Sequence, residues 1–312
     1  MKLKCYYNSK MTNNFEISAP VVIFVYKRPE HTKKVISVIK NINIKKIYVI
    51  ADGWKNENEK SLVANTRDLF NQLELNIKKI FFDRNVGLRK NAELGLKEVF
   101  KFEDRAIVLE DDTLPEKSFF KFCDILLKRY EVDQNISLIT GTNFQTQLTE
   151  NEKNDYFFSK YPCFWGWATW KDRWEKLFDN QMSNWREFKK SGKFSKSFLN
   201  KSERSYWNER FYYHTKNLNK GTWDYPFLLN QFYFEKKSII PKKNLISNIG
   251  YDLPTSINPN KTSNLQTFEI DFPLNHPSKN YELESYNKFC SEKLFSKSKL
   301  LTRIKNKIKK VF

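Results

Sequence analysis

The sequence predicts an α/β protein built on a wound, mostly parallel sheet with helices on both faces. Three observations point there. Apolar, partly β-branched runs alternate with helical stretches from Pro20 to Leu109. Each run ends in polar residues of the kind that line the carboxyl edge of such a sheet. The fourth run closes on Leu109-Glu110-Asp111-Asp112, three consecutive carboxylates whose mutual repulsion is unfavourable unless a cation or positive ligand joins them. Hard oxygen ligands at that edge suit Mg²⁺ or Mn²⁺ holding a diphosphate. An isolated acidic triplet reads more simply as a solvated turn. The surrounding sequence reverses that reading.

Taken in order, residues up to about Ser18 read as a loosely attached polar extension. Pro20–Tyr26 is a first strand, and His31–Ile42 a helix with Val35, Val38, Ile39 and Ile42 at helical spacing. Ile47–Ile50 is a second strand ending at Ala51-Asp52-Gly53, followed by a helix over Lys60–Leu73. Lys79–Phe82 is a third strand, and about Leu88–Phe102 a helix with Leu94, Leu96, Val99 and Phe100 mostly facing inward. Arg105–Leu109 is the fourth strand, Glu116–Tyr130 a helix and Ser137–Thr140 another strand. From about Asn143 the pattern turns irregular and aromatic, which reads as the acceptor half of the same domain. The expected organisation is an extension at 1–18, one domain at 19–277 with halves at about 19–142 and 143–277, and a basic tail at 278–312.

Composition narrows the classes. A 312-residue chain that is 40% hydrophobic and 16% aromatic supports a real core, which excludes wholesale disorder. No apolar run reaches the length of a bilayer span, and Met1–Asn8 lacks the apolar middle of a signal peptide. Cys5, Cys123, Cys163 and Cys290 are scattered, without metal-type pairing, which fits a reducing cytosol. The net charge of +19 suits a partner rich in negative charge, or reflects a general bias toward lysine.

Polar residues collect where the first four strands end. Arg28 suits a phosphate or a base edge through its planar guanidinium. Asp52 could accept a hydrogen bond from a base imide or a ribose hydroxyl. Asn85, Gly87 and Arg89 open a helix, where free amides favour an anion. Asp52-Gly53 could equally be a plain turn and Arg28-Pro29 a helix start; their shared location is the evidence.

The series Tyr26-Lys27-Arg28-Pro29, Ala51-Asp52-Gly53, Asn85-Val86-Gly87 and Leu109-Glu110-Asp111-Asp112 resembles the GT-A glycosyltransferases. More narrowly, it resembles the branch related to N-acetylglucosaminyltransferase I and its bacterial relatives in surface-polysaccharide (capsule and lipopolysaccharide) clusters. The resemblance covers roughly Pro20 to Gly250. It implies a GT-A, Rossmann-like nucleotide-diphospho-sugar fold and a hexosyl- or N-acetylhexosaminyl-transferase. By carry-over, Asp112 ligates Mn²⁺ or Mg²⁺, and Glu110 and Asp111 contact the donor sugar and ribose. Asp52 matches a residue that reads uracil, Arg28 one that contacts the nucleotide, and Asn91 one that approaches the diphosphate. Phe164–Trp170 resembles the family's Gly-Trp segment, with Trp165 and Trp167, joined by Trp223, lining the donor–acceptor pocket; core filling is the plainer role for any one tryptophan. Trp223-Asp224-Tyr225 resembles the segment whose aspartate is the general base, although Asp224 could also cap a helix starting near Pro226. Pro241 and Asn248-Ile249-Gly250 resemble the closing segment, where relatives often carry a histidine after the glycine. This chain reads Tyr251-Asp252-Leu253-Pro254 instead. His31 and His214 read as ordinary structural or surface histidines.

The resemblance implies a UDP-sugar donor and a glycan or lipid-linked saccharide acceptor, with inversion at the transferred sugar. Within Lys297–Phe312, Leu300, Leu301, Ile304, Ile308 and Val311 recur at helical spacing among lysines, which suits an anionic membrane surface. The expected location is cytoplasmic, peripheral on the inner face of the membrane. A basic nucleic-acid-binding protein and a nucleotidyltransferase are the rival classes. The former is disfavoured, since three carboxylates at the crevice repel a phosphate backbone, so no specific nucleic acid is expected.

Overall fold

The computed structural model describes residues 15–198, 200–218, 220–250 and 265–296. Its first half alternates strands and helices: β1 Val21–Val25, α1 Pro29–Ile39, β2 Ile47–Ala51, α2 Glu57–Asp68, β3 Ile77–Phe81, α3 Leu88–Val99 and β4 Arg105–Glu110. There follow β5 Thr113–Pro115, α4 Ser118–Arg129, β6 Ile136–Thr140, α5 Thr146–Thr149, β7 Tyr156–Ser159 and β8 Trp167–Trp170. Short helices α6 Lys171–Leu177, α7 Trp185–Lys190 and α8 Lys193–Ser197 lead to α9 Lys201–Lys216 and α10 Asp224–Tyr233. Strands β9 Lys237–Pro241 and β10 Ile246–Asn248, then α11 Glu284–Phe289 with a π-helical turn at Cys290–Leu294, complete the described chain.

Among the described residues, eight strands form one mixed sheet in the order β3-β2-β1-β4-β8-β6-β9-β7. The first four are parallel, as the helical crossovers between them require. Strand β8 runs antiparallel between β4 and β6. Period-two alternation then builds two cores. Val21, Ile23, Val49, Ile107 and Leu109 face α1 and α4, whereas Val22, Phe24, Ile50, Ala106 and Val108 face α3, α6 and α10. The fold is thus α/β, with a large sheet covered by helices on both faces.

Three expectations change. Leu94 does not face inward but is 38% exposed. Asn91, Ala92 and Gly95 take the buried stripe of α3, because at Gly95 even a Cβ would lie 2.7 Å from the Ile50 side chain. The helix therefore sits on β2 through its small residues. The N-terminal boundary also shifts. Ile17 is buried, its amide donates to Asn43 O at 2.8 Å, and buried Asp124 accepts from Ser18 Oγ and the Ala19 amide. Residues 15–18 belong to the domain. The basic tail likewise begins later than 278. Tyr286 and Cys290 fill the third core cluster, and Asn287 Oδ1 accepts from Ser159 Oγ at 2.6 Å. Residues 1–14 and Lys297–Phe312 lie outside the described residues, as does the 251–264 segment after Gly250.

Candidate active site

The acidic turn is built by the end of β4. Strand parity puts Glu110 on the same side as Ala106 and Val108, the face covered by α10, and the Trp223 side chain hydrogen-bonds it there. Thr113 closes the turn: its Oγ1 accepts from the Glu110 amide at 2.8 Å and donates to the Glu110 carbonyl at 3.0 Å. Asp111 Oδ2 accepts from the Tyr26 amide at 3.2 Å, which ties the turn to the end of β1. Arg28 Nη1 reaches Asp111 Oδ1 at 3.3 Å and also binds Asp112 Oδ2. Burial works against the Arg28 charge, but Asp111 and Asp112 more than offset it. Burial first, and then the neighbouring carboxylates, raise Glu110 and Asp111 above the ordinary carboxylate range. Asp112 Oδ1 is buried without a hydrogen-bond partner.

The closing segment frames Asp112 from the other side. Strand β10 pairs antiparallel with β5, and the Ile249 amide donates to Asp112 O at 2.8 Å. A Cβ at Gly250 would stand 2.1 Å from Asp112 Oδ2, so only glycine lets the backbone lie against that carboxylate. His31, one turn into α1, bonds Ile249 O through Nε2 at 3.1 Å. This histidine is therefore part of the site's frame, a role that nothing in its local sequence announces.

Asp52 holds a different position from the one expected. Its Oδ1 accepts from the amides of Gly53 and Val86 at 2.9 and 2.8 Å. Its Oδ2 accepts from Asn85 Nδ2 at 3.0 Å and from the Gly87 amide at 2.9 Å. Four protein donors fill this carboxylate, so a base or ribose would have to displace one of them. Asn85 also donates to Gly53 O at 2.8 Å, and a Cβ on Gly53 would sit 2.4 Å from the Arg84 carbonyl carbon. Asp52 and Asn85 together shape the loop from which α3 starts. Glu59, which the sequence did not single out, fixes the adjacent corner by accepting from Lys27 Nζ at 2.5 Å and from the Tyr26 hydroxyl. Hydrogen bonds from Lys27 and then Tyr26 hold its carboxyl down to about 2.

Arg89 and Trp167 also depart from expectation. Arg89 is 2% exposed and donates to the carbonyls of Asn180 and His214, at 2.7 and 3.4 Å, rather than reaching the acidic turn. Trp167 is fully buried because it lies on the central strand β8; it stacks on Trp223 at 5.2 Å and offers no face to a sugar. Trp223 is nearly as buried, and its ring completes this cluster while its side chain reaches Glu110. Trp165, just before β8, is half-buried and packs edge-on against Phe144 at 5.4 Å. Asn91 is buried on α3 with an unpartnered Oδ1.

Asp224 is the first residue of α10, after Trp223 at the N-cap, so it does not cap the helix by the usual geometry. Its Oδ1 is buried and lacks a hydrogen-bond partner. Burial raises its pKa; Thr222, the amides at the helix start and Arg210 offset this only in part. Asp224 in turn helps raise Glu110, so the two carboxylates lie within electrostatic reach of each other. The result is an edge with oxygen donors in excess, a single guanidinium among them, and a basic carboxylate alongside.

No protein-family model matches this chain, and neither does any curated protein. Among solved structures, one similar in fold is GalNAc-T7 with UDP, GalNAc and Mn²⁺, at 11% identity and a TM-score of 0.45 over 72% of this chain and 42% of that one. Another is a mannosyltransferase from Pyrobaculum calidifontis in complex with GDP-Man and Mn²⁺, at 10% identity and a TM-score of 0.35 over 51% of this chain and 46% of that one. The chain spans less than half the length of either. Among the described residues, no helix is long and apolar enough to cross a membrane.

Proposed function

We propose that this protein is a divalent-metal-dependent glycosyltransferase that moves a sugar from a UDP-sugar to a hydroxyl of a glycan or lipid-linked saccharide, with inversion. The observation that carries the reading is a pair of buried carboxylate oxygens without hydrogen-bond partners, Asp112 Oδ1 in the acidic turn and Asp224 Oδ1 at the start of α10. The donor set fits a hard cation: Asp112 Oδ1 is an orphaned buried oxygen, and of the three consecutive carboxylates only Asp111 and Asp112 are paired, both with the one guanidinium of Arg28. Among the described residues no three His, Cys, Asp or Glu side chains converge as a metal cage. Asp112 would be the protein's direct ligand to the metal, and Glu110 and Asp111 would contact the donor's sugar and ribose. A bound Mn²⁺ or Mg²⁺ would neutralise the departing diphosphate.

The chain's own groups supply the rest. Asp224 Oδ1 takes the proton of the acceptor hydroxyl, and the freed oxygen attacks the anomeric carbon as its bond to the diphosphate breaks. A desolvated carboxylate with a raised pKa is the better base near neutral pH. Arg28, already at the acidic turn, contacts the nucleotide. Asp52 and Asn85 act by holding the loop that frames it. A bacterial surface polysaccharide is the proposed product class, with the basic tail at the inner membrane face.

Calorimetric titration of UDP with Mn²⁺ and with EDTA, on wild type and Asp112→Ala, tests the donor site. Metal-dependent binding that the variant lacks is expected. Asp224→Asn should still bind UDP yet lose on the order of 10²–10⁴ in transfer rate. Absence of uridine nucleotide binding to the wild type under both conditions would sink the proposal.

A further inference from the structure

Arg28 has a fixed backbone and a side chain held only by the acidic turn. Its carbonyl accepts from the Thr32 amide at 3.0 Å and from Thr32 Oγ1 at 2.8 Å, and Pro29 follows it as α1 begins. Helix α1 is itself tied to the closing segment, since His31 Nε2 donates to Ile249 O at 3.1 Å. The guanidinium has no such anchor. Among the described residues it bonds only Asp111 Oδ1, at 3.3 Å, and Asp112 Oδ2, and its side chain is 25% exposed.

The two oxygens of Asp112 are therefore unlike. Oδ2 carries the guanidinium and lies against the Gly250 backbone, whereas Oδ1 is buried without a partner, on a residue only 8% exposed. A hard cation suits that second oxygen. There it would meet a positive charge already bonded to the other oxygen of the same carboxylate, and like charges that close repel. The conflict ends if the guanidinium has another anion to bind. A diphosphate is such an anion, because its oxygens match the planar fork of an arginine, and a partly exposed side chain on a fixed backbone can swing to it. We infer that Arg28 is a built-in counter-ion that competes with the divalent cation for Asp112, and that a diphosphate relieves the competition by drawing the guanidinium away. Cation and diphosphate then bind cooperatively, and Arg28 makes the site selective for the pair over free metal. The diphosphate in this scheme rests on the glycosyltransferase reading; the competition rests on the two ion pairs alone.

Paramagnetic resonance of free Mn²⁺, without nucleotide, measures metal affinity for wild type, Arg28→Gln and Arg28→Lys. Calorimetry of UDP and of inorganic pyrophosphate at saturating Mn²⁺ supplies the other half. Arg28→Gln should bind Mn²⁺ about tenfold more tightly than wild type, as removal of a like charge from one carboxylate predicts. It should bind the diphosphates about tenfold more weakly, the loss of one charge-assisted contact. Arg28→Lys keeps the charge, so its Mn²⁺ affinity should stay within about threefold of wild type. A merely structural role for Arg28 would weaken both ligands and tighten neither. Mn²⁺ binding by Arg28→Gln that is unchanged or weaker overturns the inference, as does equal tightening in Arg28→Lys. Nitrogen NMR of the wild-type arginine side chains decides the matter if Arg28→Gln does not fold, with Arg28 assigned by its absence from the Arg28→Lys spectrum. Its Nε–H signal should move when Mg²⁺ and UDP are added together and stay in place with either alone. A signal that stays with both present, or moves as far with UDP alone, overturns the inference. If pyrophosphate binds with Mn²⁺ in an Arg28-dependent way and UDP does not, the UDP-sugar reading falls and the counter-ion stands. If neither diphosphate binds, both fall.

Discussion

Two carboxylate sites stand at the ends of β2 and β4, on either side of β1, and are built in opposite ways. At the end of β2, Asp52 receives four protein hydrogen bonds and leaves no acceptor position to a ligand. At the end of β4, Asp111 and Asp112 share one guanidinium beside a third carboxylate, Glu110, and Asp112 Oδ1 has no hydrogen-bond partner although it is buried. The same side-chain chemistry thus shapes a loop in one place and leaves a buried oxygen unsatisfied in the other. A buried polar group that is fully satisfied contributes to the fold; one left unsatisfied costs free energy that a ligand can offset.

The sharpest way to break this contrast is Asp52→Ala. It strips the acceptor from three backbone amides and one side-chain amide, and should cost on the order of 4 kcal/mol of stability. Asp52→Asn keeps one oxygen but turns an NH₂ toward the Gly87 amide and Asn85, so about half that loss is expected. Chemical denaturation of both variants measures the losses. A change below about 1 kcal/mol for Asp52→Ala would show that the network is not structural, and would return the residue to the nucleotide.

How much of this was legible in sequence follows the same division. The first four strands and their helices read out to within a few residues, because each is a contiguous apolar run or stripe separated by polar turns. The acidic turn read out because excess charge is visible without geometry. The second half did not. Trp167-Ala168-Thr169-Trp170 was read as a pocket wall, yet it is a central strand whose alternate residues enter two different cores. Helix α9 places Trp207 and Phe211 inward among charged residues without a clear apolar stripe. Asp52's partners are mostly backbone amides, and Arg89's are carbonyls, so no side-chain pattern could reveal either commitment. His31 acts through a carbonyl 218 positions away, which only the fold brings near.

His214 extends the contrast beyond carboxylates. It is buried against Tyr225 with Nδ1 unpartnered, and burial, then Arg89 and Arg210, push its pKa down to about 4. The unfolded chain binds a proton near pH 6.5 and the native imidazole does not until about 4, so stability from this group is full above 6.5 and falls as pH drops toward 4. Between pH 7 and pH 5 the loss should be about 2 kcal/mol. Glu110, Asp111 and Asp224 are raised and push the other way, so the difference between wild type and His214→Phe is what isolates it. The variant should lose less stability than wild type over that interval. Parallel pH curves would mean that the imidazole is solvated enough to titrate normally.

The smallest expected effect is the most informative. Asp112→Asn removes one of three mutually repelling charges while Arg28 retains Asp111, so the lost ion pair and the relieved repulsion nearly cancel. Stability without metal should change by less than about 1 kcal/mol, in contrast to Asp52→Asn. The amide can still accept from Arg28, and the Asp112 carbonyl keeps its bond from the Ile249 amide, so the frame built by β5 and β10 should persist. What should disappear is Mn²⁺-dependent stabilisation by UDP, because stabilisation by a ligand follows its affinity for the native state alone. Melting temperatures of both variants, with and without UDP and Mn²⁺, measure both quantities at once. If Asp112→Asn melts as low as Asp52→Asn before any ligand is added, the acidic turn is structural as well, and the argument for a cation at Asp112 loses its ground. If it melts with wild type and no longer responds to UDP and Mn²⁺, the two carboxylate sites have been separated by function.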